Sequence, residues 1–211
     1  LPRLKPSTVL QAGDEVQVIT FKTGREPEVD FGYKILFEDD CLLIVDKPGN
    51  IPVHPAGRYF FNTLLNKIRS DRFEKFKSGE EHYHLVHRID RETSGILLIA
   101  KNTEVAPNLV AQFRFHKVEK RYLAITKGVA EKDSFSVDVP ITNDVESSIR
   151  LKKATTPIPG EGLPSFTHFE VLKRTKNYSL IEAHPKTGRQ HQIRVHLASV
   201  GLPIVGDKLY S

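Results

Sequence analysis

Several features that would assign this chain to common protein classes are scarce or missing. It has one cysteine, Cys41, among 211 residues, which excludes an internal disulfide framework and favours a reducing compartment. Its apolar runs, such as residues 96–100, are far shorter than the roughly 20 residues that cross a bilayer. No apolar leader follows a basic start. We therefore expect a cytoplasmic protein that has no membrane contact.

Motifs of nucleotide and hydrolase chemistry are also absent. The sequence has neither Gly-x-Ser-x-Gly nor a glycine-rich loop ending in Gly-Lys-Ser/Thr, so no nucleophile elbow and no phosphate-cradling loop are indicated. Lys186-Thr187-Gly188 matches one element of the serine β-lactamases, but no Ser-x-x-Lys supplies their nucleophile. Nucleotide hydrolysis and dinucleotide redox chemistry are therefore not expected.

The nine histidines do not form a metal-binding pattern in the sequence. His82, His84 and His87 lie in a polar stretch, and His191 and His196 are five residues apart, which places them on different faces of a helix. No cysteine pair lies nearby. The sequence therefore predicts no metal and no cofactor.

The charge of the chain points weakly to a polyanionic partner. Lysine and arginine total 31 against 26 acidic residues, which gives a net charge of +5. The two signs are interspersed, so the excess is not one basic tail. A nucleic acid is one partner that fits such a surface.

The apolar pattern predicts more strands than helices. SFTHFEVL and YSLIEAH alternate like an antiparallel pair, and two further short strands meet at a turn at Asp39-Asp40. Strands and helices do not alternate strictly along the chain. We therefore predict an α+β fold with a mixed, mainly antiparallel sheet and flanking helices.

Capping residues and apolar spacing predict three helices. Asn62 is expected to cap a short first helix, and Thr103 a second. A third should begin just after Gly188 and stop at Gly201. The charged residues 70–82 are expected to form a surface excursion.

Asp90 is the first candidate for chemistry. Turn-forming residues follow it, and then comes the apolar run ILLIA, whose continuous character predicts a strand buried on both faces. Arg88 and Arg91 flank the acid. Asp90 could simply cap its own turn through backbone N–H groups, as aspartates often do. It could equally be a reactive group aimed from a rigid strand.

A basic segment, HPKTGRQHQIRVHLASVG, is the second candidate. Lys186, Arg189 and Arg194 lie near the start of the predicted third helix, where backbone N–H groups and positive charge can bind a phosphate. The alternative is an ordinary solvated basic face.

The strand KRYLAI supplies the third candidate, Tyr122. If Leu123 and Ile125 point to the core, Tyr122 points the other way together with Lys120 and Ala124. A tyrosine on an open sheet face can stack on a nucleobase, or it can be an ordinary strand aromatic residue.

Taken together, these motifs resemble the RluA-type RNA pseudouridine synthases. HRIDRETSG resembles the family's His-Arg-Leu-Asp-x-x-Thr-Ser-Gly signature, with Ile89 in place of leucine, and VEKRYLAITKG resembles its Lys-x-Tyr-x-Ala strand. KTGRQHQIRVHLASVGLPIVGDKLY resembles its Gly-Arg-x-His-Gln-Ile-Arg-Val-His segment and the following Gly-Asp-x-x-Tyr. FEDDCLLIVDKPGNIPVHP resembles its opening strands, so the likeness covers residues 33–211.

The resemblance implies the pseudouridine synthase fold, with a basic central cleft, and a role for each matched residue. Asp90 would be the catalytic aspartate, Arg194 would hold it ionised, and Tyr122 would stack on the target uracil and assist proton removal from C5. Arg88 would fill the space that the flipped nucleotide leaves. Together with Arg88, the residues expected to contact RNA are Lys120, Lys186, Arg189 and His191.

The resemblance also implies the substrate and the extent of the domain. The expected partner is tRNA or ribosomal RNA, bound by a monomer; IPVHPAGRYFFNT is most similar to the branch that acts on tRNA anticodon stem-loops. Residues 31–211 would form the catalytic domain, cut at its C-terminus because family members continue beyond this point. Residues 1–30 would be an N-terminal extension, similar to the tail of an S4-like RNA-binding module.

Two other functions use the same residues. A non-catalytic RNA-binding protein on this fold would be favoured by a neutral residue at position 90, where this chain has Asp90. A glycoside or nucleoside hydrolase would need a second carboxylate, for which Glu92 is the only nearby candidate.

Overall fold

A computed structural model describes residues 26–211 together with residues 9, 11 and 13–15. The alternating pattern of residues 16–20 predicts a strand, but these residues lie outside the described part of the chain, as does most of the expected 1–30 extension. Glu26 accepts hydrogen bonds from the backbone N–H groups of Phe60, Phe61 and Asn62. The chain just before residue 30 therefore packs on the main domain, and the domain boundary itself stays a prediction. None of the described helices is long and apolar enough to cross a membrane.

The described part of the chain is richer in strands than in helices. In chain order its elements are β1 (Lys34–Glu38), β2 (Leu42–Lys47), α1 (Leu64–Asp71), α2 (Phe73–Ser78), β3 (His84–Leu85), β4 (Gly95–Ala100), α3 (Val105–Arg114), β5 (Tyr122–Lys127), β6 (Ser134–Asp138), β7 (Ile141–Asn143), β8 (Lys153–Thr155), β9 (Phe166–Arg174), β10 (Tyr178–Pro185) and α4 (Gln192–Ser199).

The strands form two four-stranded sheets and one small hairpin. The first sheet has the order β1-β2-β4-β3, the second has the order β5-β10-β9-β6, and β7 pairs with β8. Every pairing of named strands is antiparallel, including the expected one between β9 and β10. The predicted α+β, mainly antiparallel fold is confirmed.

Both faces of the first sheet carry a buried cluster, although its edge strand β1 is exposed. One face packs against α1, so that Val45, Leu97 and Ile68 share a buried cluster. The other carries a smaller cluster in which Ala100 meets Ala106 of α3. The expected two-sided burial of β4 holds except at Ile96, which is 59% exposed.

The second sheet is covered on one face. Ala124, Ile181 and Phe169 form a buried cluster with Leu197 of α4. The opposite face exposes Leu123 and Ile125. The predicted orientation of β5, in which Leu123 and Ile125 point to the core, is therefore wrong.

Tyr122 therefore lies on the inner face of the second sheet, together with buried Ala124 and Thr126. The physical reason is that α4 covers the face of the sheet on which the small residues of β5 lie. The bulkier apolar residues of that strand lie on the opposite face, which no helix of the described part of the chain covers.

All three predicted helices begin at a later residue, or with a different capping residue, than expected. Thr63, in extended conformation, accepts from the N–H of Asn66 and caps α1, whereas Asn62 donates to the carbonyl of Pro27. Asn102, not Thr103, accepts from the N–H of Val105 at the start of α3. In both cases the accepting oxygen belongs to the residue three positions before the N–H group that it binds. Residues 70–82 are not wholly irregular, because they include α2.

The third expected helix begins later than predicted. It starts at Gln192 after His191, which has a left-handed φ of 58°. The Gln192 side chain accepts from the Thr187 hydroxyl at 2.7 Å and from the Arg189 N–H at 2.9 Å, so residues 187–189 form a loop instead of a first helical turn. The expected stop is present at Gly201, whose φ is 76°.

Candidate active site

Asp90 lies in the loop between β3 and β4, with its carboxylate turned away from its own turn. The turn is closed by its backbone carbonyl, which accepts from the N–H of Thr93 at 3.2 Å. The carboxylate Oδ2 accepts from the Nη1 of Arg194 at 3.2 Å. The ion pair joins residues 104 positions apart and therefore links the two sheets. Of the two interpretations of Asp90, the geometry favours a directed carboxylate.

Buried Lys47 fixes the loop that carries Asp90 through hydrogen bonds to backbone carbonyls. Its ammonium donates to the carbonyl oxygens of Pro48, Ile51 and Arg91 at 2.9–3.1 Å, and its side chain is inaccessible to solvent. Burial lowers the pKa of Lys47 to about 8, against the opposing charges of Glu92 and Asp90. A single cation thus ties the loop after β2 to the residue next to Asp90.

A second carboxylate holds Arg194 in place. Asp207 accepts from Nε and Nη2 of Arg194 at 2.7 and 2.9 Å, and it is itself fixed by the N–H of Leu209. Burial alone would lower the pKa of Arg194, but the bonds to Asp207 and the charge of Asp90 outweigh it and raise the pKa. This bidentate interaction fixes the guanidinium with its Nη1 directed at Asp90.

Tyr210 closes the other side of Arg194. Its ring centroid lies 5.1 Å from the guanidinium carbon, and its hydroxyl accepts from the N–H of Lys153 and lies 2.9 Å from Nδ1 of His191. Burial lowers the pKa of His191, and the charge of Arg194 acts in the same direction. His191 is therefore held neutral beside the ion pair.

Tyr122 shares this neighbourhood from the start of β5. Burial raises the pKa of its phenol, and the negative charge of Asp90 raises it further. The phenol therefore stays protonated at neutral pH, close enough to Asp90 to sense its charge. The structure thus brings Asp90, Tyr122, Arg194 and His191 together.

The other candidate residues are distributed around this group. Lys120 donates to the carbonyl of Thr187 at 3.1 Å, and burial lowers the pKa of Lys120. Arg189 donates through Nε to the carbonyl of Pro164, and Lys186 is exposed. Lys186 and Arg189 both lie in the loop before α4 and not at its first turn, because the helix starts at residue 192.

Arg88 is separate from the ion pair. It is exposed, and its Nη1 lies 3.5 Å from Nε2 of His54. The charge of Arg88 adds to burial in lowering the pKa of His54. Arg88 thus occupies the solvent side of the loop that carries Asp90.

Three supporting residues were missed from the sequence. Asp207 was visible within Gly-Asp-x-x-Tyr, but its bond to Arg194 depends on how the chain folds back after α4. Gln192 shapes the loop before α4, as described above. Lys47 had one sequence signal: alternation along the strand LLIVDK places it on the same face as Leu43 and Val45, where a buried charge must find partners.

Two antiparallel sheets joined by a carboxylate–guanidinium pair define the class: the chain has the pseudouridine synthase fold. It superimposes with a TM-score of 0.68 on the structure of human RNA pseudouridylate synthase domain containing 4, at 32% identity over 84% of this chain and 68% of that one. The family model described as RNA pseudouridylate synthase matches residues 41–199. The chain belongs to this family, as its resemblance to the RluA-type enzymes predicted.

Curated relatives agree with that assignment. The chain is 38% identical over 187 residues to ribosomal large subunit pseudouridine synthase D of Zymomonas mobilis, covering 88% of this chain and 57% of that protein. It is 36% identical over 219 residues to ribosomal large subunit pseudouridine synthase C of Haemophilus influenzae, covering 99% of this chain and 65% of that protein. The chain thus spans less than two thirds of either relative's length.

Proposed function

We propose that this chain is the catalytic part of an RNA pseudouridine synthase, which isomerises uridine to pseudouridine within folded RNA. The observation that carries the proposal is the 3.2 Å pair between Asp90 and Arg194, formed beside the protonated phenol of Tyr122. The reaction breaks the C1′–N1 bond, turns the uracil and joins C5 to C1′. It is an isomerisation, so no electrons or groups are exchanged with a co-reactant.

Each residue has a role that its environment supports. Asp90 acts at C1′, as a nucleophile or on a nearby proton, and must be ionised to do so. Arg194 orients the carboxylate by donating a charge-assisted hydrogen bond to it. Tyr122 offers a neutral aromatic face to the uracil, which has to leave its stack to reach the acid.

Basic side chains near these residues would bind the RNA. Arg88 lies exposed on the Asp90 loop, where it can enter the gap that the flipped nucleotide leaves. The phosphate contacts would come from Lys120, Lys186, Arg189 and His191. Such contacts position the RNA without reading its sequence.

Ribosomal RNA is the substrate we favour over tRNA. Both relatives described above are named for the ribosomal large subunit. A cytoplasmic monomer remains our expectation for the state in which the protein works.

The test uses transcripts labelled with tritium at C5 of uridine, because joining C5 to C1′ releases that hydrogen. Wild-type protein should release tritium from large-subunit ribosomal RNA, and faster than from tRNA. Asp90→Asn should lower release by roughly 10⁴-fold while filter binding of the RNA stays within a few-fold. Equal release by the variant would refute the catalytic role. Binding without release by wild type would instead favour a non-catalytic RNA-binding protein.

A further inference from the structure

Four metal-ligating side chains meet on the open face of the second sheet. In the register of β9 and β10, Glu182 is opposite Glu170 and His184 is opposite His168. Directly opposite residues of an antiparallel pair share one face, as do residues two apart on a strand. Two histidines and two glutamates therefore form a square patch. It lies on the face opposite Ala183, which pairs with Tyr122.

Three of the four side chains already hold donor atoms close together, and His168 lies next to this group. One atom each from Glu170, Glu182 and His184 lie within 4.8 Å of one another. Nε2 of His184 is 3.0 Å from Glu182 and 3.9 Å from Glu170, and Nε2 of His168 is 3.8 Å from Glu170. Tetrahedral bonds of about 2.0–2.2 Å place ligand atoms roughly 3.3–3.6 Å apart. Small side-chain movements would complete the geometry.

Both imidazoles have a ring nitrogen directed into the patch. Nε2 of His184 is buried and makes no hydrogen bond with any described residue, despite its closeness to Glu182. Nδ1 of His168 lies 2.9 Å from the hydroxyl of Ser136, on the neighbouring strand β6. Such a partner fixes the ring and frees the other nitrogen for a metal.

The charges at this patch favour a cation. Glu170 and Glu182 are directly opposite, and like charges in that position destabilise a sheet. Arg121 lies 4.0 Å from Glu182, but its side chain is two-thirds exposed, so it offsets little of that repulsion. A divalent ion between the strands would compensate both carboxylates.

We propose that His168, Glu170, Glu182 and His184 bind one Zn²⁺ ion. Two imidazoles with two carboxylates are donors that Zn²⁺ accepts in tetrahedral geometry, whereas Mg²⁺ and Ca²⁺ prefer all-oxygen sets. The ion would join β9 to β10 where β10 runs into the loop of Lys186 and Arg189. It would therefore brace the strand end that presents the basic segment.

Isothermal titration of untagged, chelator-treated protein with Zn²⁺ tests the proposal. Wild type should bind one Zn²⁺ per chain, and Zn²⁺ should raise its melting temperature. His168→Gln combined with His184→Gln should weaken binding by far more than tenfold and remove the thermal shift. Ser136→Ala should weaken binding about tenfold, as expected for a residue that orients a ligand.

The matched control is a second histidine pair, His82 and His84, whose rings lie 6.4 Å apart against 6.1 Å for His168 and His184. Changing both to glutamine should leave Zn²⁺ binding unchanged. Glu170→Gln serves if the double variant loses its circular dichroism, because Glu170 is half exposed and tolerates substitution. Absence of Zn²⁺ binding by wild type, or equal binding by wild type and Glu170→Gln, would overturn the site.

Discussion

The two sheets hold their halves of the candidate site in different ways. The first sheet carries a buried cluster on each face and presents Asp90 from a loop whose backbone carbonyls accept hydrogen bonds from buried Lys47. The second sheet is covered on one face and presents Arg194 from α4 through a side-chain bond to Asp207. The acid is thus positioned through the backbone, and the guanidinium through another side chain.

This difference predicts different consequences of mutation. Removing the hydrogen bonds of Lys47 should lower stability more than catalysis, because these bonds connect segments of the first core. Disturbing Arg194 should reduce catalysis first, because the guanidinium lies at the edge of the second core. The predictions below test whether the two halves can be separated in this way.

The largest expected effect is that of Arg194→Ala on turnover. Asp90 loses the charged donor that orients its carboxylate, so tritium release from RNA should fall roughly 10²- to 10³-fold. RNA binding should change far less. Tritium release and filter binding on the same preparation separate the two effects.

A double variant controls for the acid left behind in Arg194→Ala. Asp207 is 4% exposed, and a buried carboxylate without a partner destabilises the fold. Adding Asp207→Asn removes that charge and should restore stability but not turnover. If the double variant recovers turnover, Arg194 serves only to neutralise Asp207.

Lys47→Met should have the next largest effect, on the free energy of unfolding. One buried carbonyl oxygen, that of Ile51, and two partly buried ones lose their donor. Each orphaned group costs about 1–3 kcal/mol, offset partly by the burial of an uncharged side chain. We expect a net loss of roughly 3 kcal/mol, measured by urea denaturation. Lys67→Met, which removes a surface ion pair with Asp71, should cost less than about 1 kcal/mol. Equal losses in the two variants would contradict the proposed grip.

The same contrast explains what the sequence could predict. Asp90, Tyr122 and Arg194 were identified because they lie in motifs that resemble a family, and the antiparallel pairing of β9 with β10 followed from alternation. Lys47 and Asp207 were missed because the bonds that connect them to the site, to Arg91 and to Arg194, join residues 44 and 13 positions apart. Pattern and spacing along the chain do not encode such pairings.

Errors in orientation have a related cause. Leu123 and Ile125 are apolar, so the sequence predicts that they are buried, but burial also requires an element that covers their face. The described chain packs α4 on the other face of that sheet. Likewise, the four residues of the proposed zinc site come from two strands and become neighbours only through the register of those strands. The spacing of histidines along the sequence does not show such a group.

The smallest effect expected at neutral pH, where it is absent, is an acid sensitivity of the first sheet that depends on His87. Its Nε2 accepts from the N–H of Leu98 at 3.0 Å and its ring stacks on Phe113 at 4.4 Å, so protonation would remove the acceptor. Burial lowers the pKa of His87 from 6.5 to about 4, helped by the charge of Lys120. The folded state therefore binds fewer protons than the unfolded state between these two values. Stability is complete above pH 6.5 and is lost as the pH falls towards 4.

His87→Gln isolates this contribution, because an amide oxygen can still accept from Leu98 but does not titrate in this range. Urea denaturation between pH 6.5 and pH 4 should show wild type losing up to about 3 kcal/mol more than the variant. Exposed His82→Gln should follow the wild-type profile. Parallel profiles for wild type and His87→Gln would mean that the acid sensitivity arises elsewhere in the protein.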